Sequence, residues 1–135
     1  MIRERYDEYL NRFNARDYQG VLEFFTDDLE VSFAGYALKT KQEVLDFYAF
    51  LHTYINEQIR ITRFVSNEDT IAMEAIVRLE GIKTLSPETL AEKGFERLVG
   101  LEPGQVVEIP QFIHYHLKDG KFTHALCAIY QTPEL

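Results

Sequence analysis

The hydrophobic period of the chain changes near Ile59, and this change is the strongest constraint on its fold. Upstream, apolar residues recur every three to four positions, as on one face of a helix; downstream they alternate with polar residues, as in strands. Helices followed by strands are typical of an α+β domain and not of alternating βα units. Because 135 residues suffice for one core, we expect a single domain over 1–135.

The first part of the chain predicts three helices and one short strand. The apolar stripe of the first helix consists of Ile2, Tyr6, Tyr9, Leu10 and Phe13. Asp17 can cap a short second helix, and Thr40 with Glu43 forms a capping box that opens a third. The buried face of this third helix should carry Val44, Phe47, Tyr48 and Leu51. Between these helices, 29–34 is predicted to be a strand.

The second part of the chain predicts strands separated by one long excursion. The predicted strands cover 59–65, 71–82, 105–117 and 122–131. The excursion, 83–104, holds two Pro and three Gly, which predicts irregular backbone with room for one helical turn.

Asp119-Gly120, between the last two strands, is the strongest hairpin signal in the sequence. A two-residue loop would pair Lys118 with Lys121, and Tyr115 would then face His124. The face expected to line the interior carries Ile109, Gln111, Ile113, Tyr115, His124, Leu126, Ala128 and Tyr130. The other carries Phe112, His114, His116, Ala125, Cys127 and Ile129. Because this second face is also largely apolar, we expect a homodimer that covers it.

Three local motifs resemble a known family. The motif Y-x4-N-A-x-D-x2-G-x4-F-x-D-D over 9–28 resembles the opening of ketosteroid isomerases, and 67–81 resembles their third strand. The motifs G-x2-P-G-x-V-x3-P over 100–110 and K-D-G-K-F over 118–122 are similar to SnoaL-like polyketide cyclases. This resemblance to the nuclear transport factor 2-like superfamily implies a cone, in which a curved antiparallel sheet wraps around the N-terminal helices.

The resemblance also assigns roles to individual positions. The oxyanion tyrosine of the isomerases matches Tyr9, and the tyrosine that supports it matches Tyr48. The positions of the usual catalytic carboxylates fall on Phe33, Ile113 and Tyr130. None of these three side chains can exchange a proton as a carboxylate does, so the usual route of isomerisation or cyclisation is not expected.

We therefore expect the cone to bind one small, mainly apolar or aromatic molecule. Several hydroxyl groups on one inner wall need partners, and a ligand can supply them. The expected ligand-binding residues are Phe13, Phe33, Tyr48, Met73, Ala75, Gln111, Ile113, Tyr115, Leu126 and Tyr130. The excursion 83–104 is placed to form a lid. If aromatic residues fill the cone instead, the outer face of the sheet would carry the function.

Two other functions are consistent with the sequence. One is a proton-transfer enzyme of the isomerase or cyclase type, with His124 as the base and Tyr9 as donor to a developing oxyanion. The simpler alternative to this catalytic role of His124 is a structural hydrogen bond between His124 and Tyr115. The other is a non-catalytic dimerisation module whose working surface is the outer face.

Metal and nucleophile chemistry is not expected. His114 and His116 share a strand face, but zinc needs further ligands, and the cross-strand neighbours Thr123 and Ala125 provide none. We expect these histidines on the surface or in the dimer interface, with Cys127 as a buried interface cysteine. No phosphate loop or nucleotide fingerprint is present, so we expect no cofactor.

The charge of the chain limits its partners. Twenty-two acidic and 14 basic residues give a net charge of −8, which disfavours binding to nucleic acid or to an anionic membrane surface. The charged residues among the first ten leave no apolar region of a signal peptide, and no apolar run approaches the length of a membrane span. We expect a cytoplasmic protein.

Overall fold

A computed structural model describes residues 1–132 of the chain, which contain the predicted helices and strands in order and one further short strand, Tyr36–Leu38, after the first. The helices are α1 Arg3–Asn14, α2 Tyr18–Leu22, α3 Lys41–Tyr54 and α4 Pro87–Glu92. The strands are β1 Phe25–Phe33, β2 Tyr36–Leu38, β3 Ile55–Ser66, β4 Thr70–Gly81, β5 Val106–Lys118 and β6 Lys121–Ile129. None of the helices within residues 1–132 has the length and apolar composition needed to cross a membrane.

The six strands form one curled, unclosed sheet in the order β2-β1-β6-β5-β4-β3. Neighbouring strands are antiparallel except β1 and β6, which pair in parallel and so join the first strand to the last. The inner face of the sheet packs on α1 and α3, and the resulting core is lined by aromatic residues. The predicted α+β cone fold is confirmed.

The helix starts follow the capping signals in the sequence. The Asp17 side chain accepts a hydrogen bond from the Gly20 amide at 3.0 Å, and the Thr40 hydroxyl oxygen accepts one from the Glu43 amide at 3.0 Å. The prediction for Ile2 was wrong, because this residue precedes α1 as its N-cap and is 67% exposed.

Two strands begin earlier than the alternation suggests. Strand β1 starts at Phe25 and β3 at Ile55, so α3 passes into β3 without a loop. Arg16 closes this corner, since its guanidinium donates to the carbonyl oxygens of His52 and Ile55 and to the Asn56 side chain. These bonds satisfy carbonyl groups at the C-terminus of α3 and hold the two elements together.

The long excursion forms an ordered cover over one end of the cone. It contains α4, as its composition allowed, and an isolated bridge joins Leu85 to Leu101. These two leucines and Leu90 are almost fully buried and anchor the excursion. The segment that follows α4, residues 93–98, packs Phe95 against Phe33 and Phe47, and we call this end of the cone the mouth. The opposite end, where Tyr6 lies, is the apex.

Candidate functional site

A β-bulge in β6 decides which side chains reach the interior. Lys118 pairs with Lys121 as predicted, but Thr123 is an extra residue, so His116 pairs with His124 and not with Thr123. Beyond the bulge, the residues predicted to point inward point outward, and those predicted to point outward point inward. The prediction that His124 faces Tyr115 inside the cone was therefore wrong; Ala125 occupies that position, and the ring of His124 lies 4.9 Å from that of His116.

The same bulge corrects five further placements, two of which are Ala128, which pairs with Phe112 on the outer face, and Ile129, which pairs with Gln111 on the inner face. Leu126 pairs with the exposed His114 on the outer face, and Cys127 pairs with the buried Ile113 on the inner face, the reverse of the prediction. Tyr130 also lies outside, where its ring stacks at 4.2 Å on that of Phe112. Neither Leu126 nor Tyr130 lines the interior in this conformation.

The apex of the cone is a closed aromatic core. Tyr6 and Phe122 have no exposed surface, and the hydroxyl groups of Tyr6 and Tyr115 form a hydrogen bond of 2.7 Å. Tyr9 packs against Phe122 with the ring centres 4.9 Å apart, and burial raises its pKa. Of the predicted site residues, those that the structure buries in or near this core are Tyr9, Met73, Ala75, Ile113 and Tyr115.

The mouth is closed by rings from four separate segments. Phe95, from the excursion, lies with its ring centre 4.8 Å from that of Phe47, which is also 4.8 Å from Phe33. Phe47 contacts Tyr48 at 5.4 Å, and Tyr48 meets Phe13 at 5.2 Å. Phe13, Phe33 and Tyr48 are therefore inward, as predicted. Together with Phe95 and Phe47 these rings fill this end of the cone.

Two surface concavities lie outside the cone. One, of about 320 Å³, separates α2 from the start of α3 and is lined by Gln19, Glu23 and Lys41 among others. The second, of about 300 Å³, lies over β3, β4 and β5 and is lined by Arg60, Arg78 and other residues. Both are open and rich in charged or amide groups, unlike the mainly apolar pockets that hold small ligands.

A buried acid–base pair lies where α3 meets β3, and the sequence analysis missed it. The Nε2 atom of His52 is 2.8 Å from an oxygen of Glu57, and its Nδ1 atom is 2.8 Å from the Tyr18 hydroxyl. The side chains of His52 and Glu57 are 2% and 12% exposed. The sequence places each residue on a buried face without predicting their contact, since His52 follows Tyr48 by four residues on α3 and Glu57 alternates with the inward Ile55.

Glu57 faces the same interior as the phenol and thiol groups. Burial, followed by the negative charge of Glu57, raises the pKa of Tyr48 well above its usual value. The same two causes raise the pKa of Cys127 to about 12. The charge of Glu57 also contributes to the raised pKa of Tyr9. An inward carboxylate is thus present, although not on the strands where the resemblance places one.

Several inward polar groups have no hydrogen-bonding partner in the described chain. Within residues 1–132, none is found for the Tyr48 hydroxyl, the Gln111 side chain or the second carboxylate oxygen of Glu57. None of these atoms is fully buried, so each has some accessible surface. Gln111 pairs with the buried Ala75 across β4 and β5, which places it on the inner face as predicted.

No metal site stands out in the described part of the chain. Within residues 1–132, no three His, Cys, Asp or Glu side chains converge in a way that could hold a metal ion. His114 and His116 are exposed on the outer face, and the bulge adds His124 beside His116. The bonding partner of the His124 Nδ1 atom is the hydroxyl of Thr123 at 2.9 Å.

Solved structures with this fold include two whose descriptions name a bound small molecule. A putative polyketide cyclase from Xanthomonas campestris pv. campestris has 20% identity and a TM-score of 0.72, with 90% of this chain and 84% of that chain covered. TerC co-crystallised with polyporic acid has 15% identity and a TM-score of 0.68, covering 93% and 88%.

A Catenulispora acidiphila protein with a ketosteroid isomerase-like fold, in complex with trimethylamine, has 11% identity and a TM-score of 0.69, covering 95% and 86%. At such identities the likeness shows the fold alone. No curated protein matches the sequence. The model of the SnoaL-like domain matches residues 6–125, nearly the whole chain, and the protein therefore belongs to the SnoaL-like domain family.

Proposed function

We propose that the chain binds a small, mainly apolar or aromatic molecule inside the cone, behind the ring of Phe95. The observation that carries this proposal is the set of inward polar groups without partners in the described chain: the Tyr48 hydroxyl, the Gln111 amide and one oxygen of Glu57. An interior that served only as a core would pair such groups, as Tyr6 and Tyr115 do at the apex.

Each of these three groups keeps an accessible face, because no fully buried side-chain nitrogen or oxygen within residues 1–132 lacks a partner. A hydrogen bond to a bound molecule at such a face contributes about 0.5–1.5 kcal/mol. A bound molecule with one or two polar atoms on an apolar body would satisfy them and fill the space between the surrounding rings. The small ligands held by TerC and by the Catenulispora acidiphila protein are consistent with this use of the fold.

Entry of the ligand requires the segment 93–98 to move. Phe95 is half-buried, and its segment is held to the cone by the Arg97 amide, which donates to the Tyr36 hydroxyl oxygen at 3.0 Å. The guanidinium of Arg97 also lies 5.1 Å from the centre of the Tyr36 ring. Four of the six residues of this segment are exposed and none is fully buried, so opening should be easier there than at the apex.

Calorimetric titration with 2-naphthol tests the proposal, because this probe has an apolar bicyclic body and one hydroxyl group. We expect saturable 1:1 binding that weakens in Tyr48→Phe and Gln111→Leu, with faster association in Phe95→Ala. Tyr130→Phe, on the outer face, is the matched control and should bind as the parent does. Absence of saturable binding in both the parent and Phe95→Ala would contradict the proposal.

A second candidate function rests on the outer face of the sheet. Phe112 and Tyr130 stack on each other there and are 43% and 44% exposed, which is unusual for a pair of large aromatic side chains. This patch favours a homodimer and a dimerisation module. Sedimentation of the parent and of Phe112→Glu tests it: we expect a dimer that the substitution dissociates, and a monomeric parent would exclude it.

The catalytic role predicted for His124 and Tyr9 loses its geometric basis, because the bulge turns His124 outward. The three positions that the resemblance assigns to carboxylates hold Phe33, Ile113 and Tyr130. Any acid–base chemistry on a ligand in the cone would therefore depend on Glu57, which approaches from β3.

A further inference from the structure

Tyr18, His52 and Glu57 form one continuous hydrogen-bonded chain, with distances of 2.8 Å at both links. We propose that this chain is a proton relay, which connects solvent at Tyr18 with the interior of the cone at Glu57. The relay is a property of the ligand-free protein, and only its use on a bound molecule rests on the proposed function.

The three groups differ in their contact with water in the way a relay requires. Tyr18, the first residue of α2, is only partly buried, so its hydroxyl can exchange with solvent. The imidazole of His52 is 2% exposed and is almost sealed from water. Glu57 lies at the inner end, where one oxygen is bound to His52 and the other has no partner within residues 1–132. The Glu57 side chain is 12% exposed, more than that of His52, so the effect of Tyr18→Phe decides between transfer through His52 and direct exchange at the carboxylate.

The imidazole is fixed in orientation by its neighbours. The rings of Tyr18 and Tyr48 stack on His52 at 5.8 and 5.4 Å, with interplanar angles of 20° and 24°. Phe13 meets it edge-on at 6.0 Å. Arg16 holds the backbone, since its guanidinium donates to the His52 carbonyl oxygen. His52 therefore cannot rotate away from its two partners without disrupting the corner between α3 and β3.

One proton can pass from Tyr18 through His52 to Glu57 with its charge accounted for at each group, while the imidazole is neutral before and after the transfer. In the first state Glu57 is ionised, Nε2–H of His52 donates to it, and the Tyr18 hydroxyl donates to Nδ1. When a hydronium ion protonates the Tyr18 oxygen and leaves as water, the Tyr18 proton passes to Nδ1 and the Nε2 proton passes to the carboxylate. The second state thus has protonated Glu57, the other tautomer of His52 and a neutral Tyr18. The reverse sequence releases the proton to water.

The inner end of the relay indicates the class of molecule that could use it. Rotation of the Glu57 carboxyl group about its last torsion, which is broad, exchanges its two oxygens and presents the proton to the interior. A ligand that uses this group must give or take a proton, as a phenol does, or a carbonyl compound with an acidic C–H bond. Glu57 would touch such a ligand, whereas His52 and Tyr18 are positioning residues that act through it.

The experiment measures proton exchange at His52 by NMR in protein labelled with ¹⁵N-histidine, without ligand. We expect the Nε2–H tautomer in the parent and exchange of this proton with water at least about tenfold slower in Tyr18→Phe, which keeps the stacked ring but removes the hydroxyl. Tyr130→Phe is the control and should leave the exchange rate unchanged. An exchange rate that Tyr18→Phe does not alter would overturn the relay, since the proton would then leave by another route.

A second variant keeps the test independent of Tyr18. Glu57→Gln preserves the size of the side chain and a hydrogen bond to His52, but an amide cannot take up the proton. We expect it to slow the exchange as Tyr18→Phe does, with the remaining ¹⁵N spectrum unchanged. Fast exchange in Glu57→Gln would also contradict the relay. Because no ligand is present, failure of this test differs from failure of 2-naphthol to bind.

Discussion

The apex and the mouth of the cone consist of the same kinds of residue but differ in how their polar groups are paired. At the apex, Tyr6 and Tyr115 bond to each other and Phe122 is completely buried. At the mouth, Phe33 and Phe95 are only half-buried, and Tyr48 has no hydrogen-bonding partner within residues 1–132. The apex is a closed core, whereas the mouth keeps a polar group that the proposed ligand would bond.

This difference separates the part of the cone that stabilises the fold from the part that can change. Segments with few buried contacts open locally at a small fraction of the global unfolding free energy, and binding sites are drawn from such segments. The segment 93–98 fits that description, and the helix–sheet contacts around Tyr6 do not. The predictions below test whether the two ends behave differently.

The largest expected effect concerns Cys127, which lies on the inner face between the two ends. Because burial and the charge of Glu57 raise its pKa from 9.0 to about 12, its thiolate fraction at pH 8 falls about a thousandfold. We expect alkylation by iodoacetamide to be slower by at least that factor than in urea-unfolded protein. Its rate should still rise tenfold per pH unit up to pH 10.

One variant locates the opening that exposes this thiol. Phe95→Ala should speed alkylation in native buffer without lowering the urea midpoint much, because it removes the ring that closes the mouth. If alkylation tracked only global unfolding, or if the parent reacted as fast as unfolded protein, the mouth would not be the route into the cone.

The second prediction compares one phenylalanine from each end. Phe122→Ala removes a fully buried ring, and we expect the free energy of unfolding to fall by about 3–5 kcal/mol. Phe95→Ala removes a half-buried ring and should cost about 1 kcal/mol, since less apolar surface is involved. Urea denaturation followed by circular dichroism measures both. Equal losses would mean that the mouth is as much part of the core as the apex.

The sequence predicted the fold because its signals are local. The Asp17 and Thr40 caps and the Asp119-Gly120 turn each depend on a few neighbouring residues. The bulge at Thr123 was not predictable in this way, because one extra residue reverses the faces of a strand without changing its apolar content. That single residue turned His124 outward and Cys127 inward.

The acid–base pair was missed for a different reason. Glu57 is the third residue of β3, and no cap or turn signal in the sequence marks where this strand begins. Its partner, His52, is separated from it by only five residues, but the contact depends on the angle between the helix and the strand. Such an angle is set by Arg16 and the surrounding packing, which a pattern of apolar residues does not encode.

The smallest expected effects come from single hydroxyl groups, and they compare the two ends most directly. Tyr6→Phe leaves the Tyr115 hydroxyl buried without its partner, so we expect a loss of about 1–3 kcal/mol in the free energy of unfolding. The double variant Tyr6→Phe with Tyr115→Phe should recover most of it, since neither polar group then remains. Tyr48→Phe should cost nothing or stabilise the protein slightly, because it removes a hydroxyl that no described residue satisfies. Urea denaturation of these three variants and of the parent measures the losses. A loss in Tyr48→Phe as large as in Tyr6→Phe would show that the Tyr48 hydroxyl is paired in solution. The mouth would then be a second core and not a binding site.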